Sequence, residues 1–166
     1  DPDKNGVKDT YGLGGAGMHP NPLSWEFQTI FGAYGVHPQY WVEEDGKVVY
    51  GAVANGYKEA LKTLAKWYKE GIMDPEFVTD TNADYLNKVA TGVLGMFDGH
   101  PTYFDLTNKT MPPALAKEKN PKAEFVFLRP IIGPQGKSGA MSYGVVGSWG
   151  MMYGIKTPQE KVIRAM

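Results

Sequence analysis

Residues 55–71 read NGYKEALKTLAKWYKEG. Tyr57, Ala60, Leu61, Leu64, Trp67 and Tyr68 recur at spacings of three and four, the period that lines one face of an α-helix. Lys58, Glu59, Lys62, Lys66 and Lys69 take the other face. The stretch therefore predicts an amphipathic helix packed on an apolar layer, ended by Gly71 and turned away by Asp74-Pro75. Upstream, Tyr40-Trp41-Val42 and Lys47-Val48-Val49-Tyr50 flank Asp45-Gly46, a dipeptide that tolerates positive φ, which predicts a tight β-hairpin. Downstream, a second helix is expected from Asp84 through Leu86 and Val89. The apolar run 93–97, bounded by Gly92 and Asp98-Gly99, then has the pattern of a buried strand. Helices alternating with buried strands give the fold class as α/β.

The remaining segments fill in around this frame. Residues 1–10 are a polar loop and residues 11–17 are dense in Gly, with Pro20 and Pro22 barring a helix after them. Ser24 suits the cap of a short helix through Trp25, Phe27, Ile30 and Phe31, ended by Gly32 and Gly35. Between residues 101 and 120 helical signals are mixed and broken by Pro112 and Pro113. Another strand is expected at 124–128, a loop at 130–139, and an apolar Gly-spaced strand or strand pair at 143–155. A final helix is capped by Thr157-Pro158-Gln159-Glu160. Trp41, in the hairpin, and Trp67, on the apolar stripe, are assigned to the core.

Composition bounds the functions open to such a chain. Of 166 residues 42% are hydrophobic, enough for a core, while 21 Gly and 12 Pro make about one position in five a turn former. Lys and Arg number 17 against 18 acidic residues, so no positive field exists to hold a nucleic acid. The absence of Cys excludes disulfides, thiolate metal sites and a cysteine nucleophile. The chain opens on a charged loop at Asp1 and its last helix stops about two turns after its cap, so it is expected to be one lobe of a longer protein.

Several motifs fail on inspection. Gly12-Leu13-Gly14-Gly15-Ala16-Gly17 matches the dinucleotide pattern, but the prolines after it bar the helix that would meet the pyrophosphate. Gly136-Lys137-Ser138 lacks the first Gly of a phosphate loop, and Gly147-Ser148-Trp149-Gly150 lacks the Gly of a nucleophile elbow. His19, His37 and His100 share no ligand spacing and read as loop or surface groups. Glu43-Glu44-Asp45 reads as solvated charge on a hairpin tip.

One motif survives. Asp1-Pro2-Asp3-Lys4-Asn5-Gly6-Val7-Lys8-Asp9 places oxygen donors at every second position with Gly at the sixth, as the calcium loops of EF-hands do. Asp1, Asp3 and Asn5 would supply side-chain oxygens, Val7 its carbonyl, and Asp9 a carboxylate directly or through water. Gly12 stands where an EF-hand has its bidentate Glu, so any Ca²⁺ here would be structural. The same residues also suit a solvated cluster of Asx turns.

The stretch Asp1 to Leu13 resembles the D-x-D-x-N-G-x-x-D-x-Y-G-L run of extracellular solute-binding proteins of family 1, above all the lipoproteins that feed oligosaccharide ABC importers in Gram-positive bacteria. The later segments are similar in order too: the Asp45-Gly46 hairpin, the helix from Tyr57, Glu70-Gly71 with Asp74-Pro75-Glu76-Phe77, and Gly95-Met96-Phe97-Asp98-Gly99. The resemblance implies one lobe of a type II periplasmic-binding-protein fold, a mixed sheet flanked by helices with a β-hairpin. In such receptors two lobes close over a sugar at a hinge, and this chain would be most of the second lobe. It also implies a non-enzymatic, monomeric receptor, outside the cell or in the periplasm and lipid-anchored through a segment beyond this chain, that delivers an oligosaccharide to permease subunits. In alginate-binding relatives the first loop holds calcium.

Sugar rings need flat apolar faces and a few polar groups for their hydroxyls. With the resemblance, the candidate contacts are Trp25, His100 and Tyr103 just past the Asp98-Gly99 turn, and Trp149; the Ca²⁺ set is Asp1, Asp3, Asn5, Val7 and Asp9. The alternatives are a fragment of a carbohydrate-active enzyme, which would need a placed carboxylate pair, and a calcium-dependent extracellular interaction module, which would need a duplicated calcium loop.

Overall fold

The computed structural model describes residues 6–18, 26–99 and 101–139. In chain order these hold β1 (Tyr11–Leu13), α1 (Gln28–Ala33), β2 (Trp41–Glu44), β3 (Lys47–Tyr50), α2 (Asn55–Lys69), α3 (Asn82–Thr91), β4 (Leu94–Met96) and α4 (Pro112–Lys119). Short 3-10 turns lie at Gly51–Val53, Pro75–Val78 and Pro101–Phe104. The expected strands at 143–155 and the helix after Thr157 lie outside the described residues, as do Ser24 and Trp25.

β1 is the axis of the arrangement. It pairs in parallel with β4, Tyr11 opposite Leu94 and Leu13 opposite Met96. On its other edge Leu13 bridges Met73 in parallel, with Gly12 N–H donating to the Ile72 carbonyl at 2.9 Å and Asp74 N–H to the Leu13 carbonyl at 2.9 Å. The first strand thus lies between two later segments, and parallel neighbours need long crossovers. The first crossover carries α1, the hairpin and α2; the second carries α3. The α/β class holds, as small sheets: this parallel pair and a separate antiparallel hairpin, among the described residues.

The hairpin forms as expected. β2 and β3 pair from Trp41 opposite Tyr50 to Glu44 opposite Lys47, with Asp45 at φ 52° and Gly46 at φ 75° in the turn. Val42 and Val49 pack inward, which turns Trp41 the other way: it is 69% exposed, against the expectation of a core position. Strand alternation decides this, because Val42 holds the inward face. Trp67 does pack against the core.

α2 presents Ala60 and Leu64, both buried, to a cluster of Leu13, Phe27, Ile30, Phe31, Val36 and Met73. Tyr57 stacks on Phe31 with centroids 5.1 Å apart, and the Tyr34 hydroxyl lies 2.6 Å from Thr63 Oγ1. α3 closes a second cluster in which Tyr85 and Val89 meet Ala16 and Leu94. It starts at Asn82, two residues before the expected Asp84, under a capping box in which Thr81 and Asp84 bond reciprocally.

Four other expectations are corrected. Run 93–97 is a strand, but of its paired residues only Leu94 is buried; Met96 is 48% exposed. Pro112 and Pro113 do not break a helix; they begin α4, where the first turn needs no N–H donors. Gly32 lies within α1, and the turn beyond it falls at Gly35, φ 72°. Residues 124–128 form no strand: no ladder partner lies beside them among the described residues, and Val126, Phe127 and Leu128 are exposed. The loop at 130–139 holds, cinched by a bridge between Ile132 and Ser138.

Candidate functional site

Of the candidate sugar contacts Tyr103 is the one among the described residues, and it follows the turn after β4. Asp98 leaves the strand and its carboxylate turns inward. Oδ2 accepts the Thr29 backbone N–H at 3.0 Å and the Thr29 hydroxyl at 2.6 Å, and Oδ1 accepts from Gln28 Nε2 at 3.4 Å. α1 has no side-chain cap of its own, so Asp98 serves as its N-terminal acceptor from 69 residues away. The Asp98 carbonyl accepts the buried Tyr85 hydroxyl at 2.8 Å, tying the same turn to α3.

Past the turn, Tyr103 lies in the 3-10 turn Pro101–Phe104, half-buried. Its ring fills the space that a Cβ on Gly99 would occupy, and its hydroxyl donates to Asn82 Oδ1 at 3.2 Å. Beside it runs a row of aromatic rings that sequence reading did not single out. Phe97 stacks on Phe104 (5.0 Å) and meets Phe125 edge-on (6.2 Å), and Phe104 meets the 80% exposed Phe127 at 4.8 Å. The signal was the spacing of Phe125 and Phe127 on either side of Val126. The turn and this row make a surface of apolar faces edged by Tyr103 and Asn82. His100, Trp25 and Trp149 lie outside the described residues.

Glu26 stands behind the turn. It is 5% exposed, and its Oε2 has no hydrogen-bond partner. Burial raises its carboxyl to about 7, against a weaker opposing effect of its own backbone N–H and with a further push from Asp98.

Of the calcium loop, Asp1, Asp3 and Asn5 lie outside the described residues. Val7 is exposed and Asp9 half-buried, and Gly6 sits at φ 82°, the left-handed conformation that a sharp loop turn requires. Among the described residues no three His, Cys, Asp or Glu side chains form a metal-holding group.

Two polar residues have roles other than those expected. Glu44, read as solvated, is half-buried: its carboxylate accepts the Asn55 N–H at 3.0 Å and Asn55 Nδ2 at 3.2 Å, capping α2 from the hairpin. His37 lies in the loop between α1 and β2, one of its two expected settings, but is buried; Nδ1 accepts the Gln39 N–H at 3.2 Å, and burial lowers its pKa, favouring the neutral form. Lys88, unnoticed in the sequence, donates to Asp74 (2.7 Å), Asp80 (2.7 Å) and Glu76 (3.0 Å). Burial alone would lower the Lys88 ammonium, but the three carboxylates hold it above its ordinary value. An open apolar groove between α2 and the Pro75–Val78 turn, lined by Leu61, Ala65, Tyr68 and Phe77, holds none of the candidate residues.

Comparison with known proteins adds two relatives. The chain is similar to the polygalacturonan/rhamnogalacturonan-binding protein YtcQ of Bacillus subtilis, 29% identical over 145 residues, which are 87% of this chain and 27% of that protein. It is also similar to the lipoprotein LipO of the same organism, 32% identical over 102 residues, 58% of this chain and 19% of that protein. The chain therefore spans about a quarter or less of the length of these relatives. No family model matches it.

Proposed function

We propose that this chain is part of one lobe of an extracellular, lipid-anchored carbohydrate receptor of family 1, which hands an oligosaccharide to the permease of an ABC importer and catalyses nothing. The observation that carries the reading is the similarity to a polygalacturonan/rhamnogalacturonan-binding protein along 87% of the chain. The turn at Asp98-Gly99, with Tyr103 and the Phe97–Phe104–Phe127 row beside it, supports it: such faces suit the C–H side of a sugar ring. Trp25, His100, Tyr103 and Trp149 are its proposed sugar contacts, and hinge closure against a second lobe its means of capture. Asp1, Asp3, Asn5, Val7 and Asp9 are the proposed Ca²⁺ donors, a reading supported by the left-handed Gly6.

A glycan array probed with the full-length protein tests the ligand class. Binding to plant cell-wall oligosaccharides is expected; a clean array alongside binding to peptides would overturn the reading. For the metal, calorimetry with Ca²⁺ is expected to show uptake that Asp3→Ala abolishes, with a higher thermal midpoint in calcium than in chelator. An unchanged midpoint would remove the calcium proposal and leave the saccharide one standing.

A further inference from the structure

Glu26 and Asp98 are neighbouring acids with unequal surroundings. Asp98 has its donors: the Thr29 N–H, the Thr29 hydroxyl and Gln28 Nε2, on residues two and three positions beyond Glu26. Glu26 has an oxygen sealed from solvent without any partner. Among the described residues, the Glu26 Cβ lies beside Gly15 after β1, and the titratable groups that act on Glu26 electrostatically are the Asp98 carboxylate after β4 and the Tyr85 phenol of α3. None of these is a cation. A charge placed on Glu26 would be desolvated, unpaired and repelled by the carboxylate that anchors the β4 turn to α1. The least costly relief is to part the two segments, because Glu26 leads directly into α1 while Asp98 belongs to the turn.

We infer that a proton on Glu26 keeps the Asp98 turn latched to α1, and that its loss releases the turn, making the rim that carries Tyr103 responsive to pH. The elevated titration of Glu26, about 7, puts the change near neutrality. The latch concerns the fold of this chain and stands apart from the saccharide reading; its test uses no sugar.

Hydrogen exchange measured by mass spectrometry on the full-length protein, corrected for intrinsic rates, reads the latch. Between about pH 6 and about pH 8, opening of peptides covering residues 26–33 and 97–104 is expected to rise about fivefold or more. In Glu26→Gln, which stays neutral, it should not change. No rise in the native protein, or an equal rise in the variant, overturns the inference. If the variant does not fold, infrared spectroscopy of the native protein decides: the carbonyl stretch of a buried protonated carboxyl is expected at about pH 6 and gone by about pH 8. Its absence at the lower pH overturns the inference too.

Discussion

Asp98 lies where the sequence points to a ligand rim, yet its carboxylate works inward as the acceptor for the start of α1. Asp98→Ala strips the Thr29 N–H and hydroxyl of their partner and should cost about 2 kcal/mol in urea unfolding, within the range for charged acceptors and caps. Nothing in the run Phe97-Asp98-Gly99 discloses this role, because its partners are 69 and 70 residues away. Glu26 was silent for the same reason: its neighbours are brought by the fold. Its carboxyl titrates at 4.5 when exposed and about 7 when folded, so between those values the unfolded chain gives up its proton first. The stabilising contribution is complete below about 4.5, falls as pH rises, and is gone above about 7. In size it is at most about 3 kcal/mol, and in a pH series of urea midpoints the native protein should lose stability relative to Glu26→Gln by that slope, His37 and Asp80 titrating alike in both.

At the scale of elements, legibility followed the range of the interactions. α2 was readable because its stripe is periodic, and the hairpin because Asp45-Gly46 selects its turn. The Thr81-Asn82-Ala83-Asp84 box is the local signal that places the start of α3. The Glu44 cap on α2 could not be read, since a carboxylate on a hairpin tip looks solvated until the helix arrives beneath it. Lys88 is the sharper case. It pins the 74–80 turn to α3 through three acids, two of them buried, and burial raises the Asp80 carboxyl more than Lys88 lowers it. Lys88→Met should leave those charges unpaired and cost about 3 kcal/mol or more at neutral pH. Because acid would neutralise the orphaned carboxylates, the gap between variant and native urea midpoints should narrow as pH falls toward about 4. Run 124–128 shows the reverse failure: its apolar alternation is strand-like, but a strand needs a neighbour, and its Phe side chains pair with Phe97 and Phe104 instead.

At the scale of the molecule, the α/β class and the order of elements among the described residues were legible, while the extent of pairing among those residues was not. Of the candidate site, the turn and Tyr103 could be singled out by order and chemistry and the phenylalanine row beside them could not, while Trp25, His100 and Trp149 lie outside the described residues. On the proposed saccharide reading, Tyr103→Ala in the full-length protein should weaken binding about tenfold by isothermal titration, the loss of one ring face and its hydroxyl. The central place of β1 has one more consequence. Residues 11–13 are clasped between residues 72–74 and 93–96, and Phe27, Ile30 and Phe31 are buried against Leu64 and Met73, so β1 and α1, before the hairpin tip, are embedded in what comes after it. A single backbone cut between Asp45 and Gly46, at an exposed turn, should therefore leave two pieces that migrate as one particle on a sizing column and part only in denaturant. Neither half expressed alone should give the sharp unfolding transition that the two halves regain when mixed.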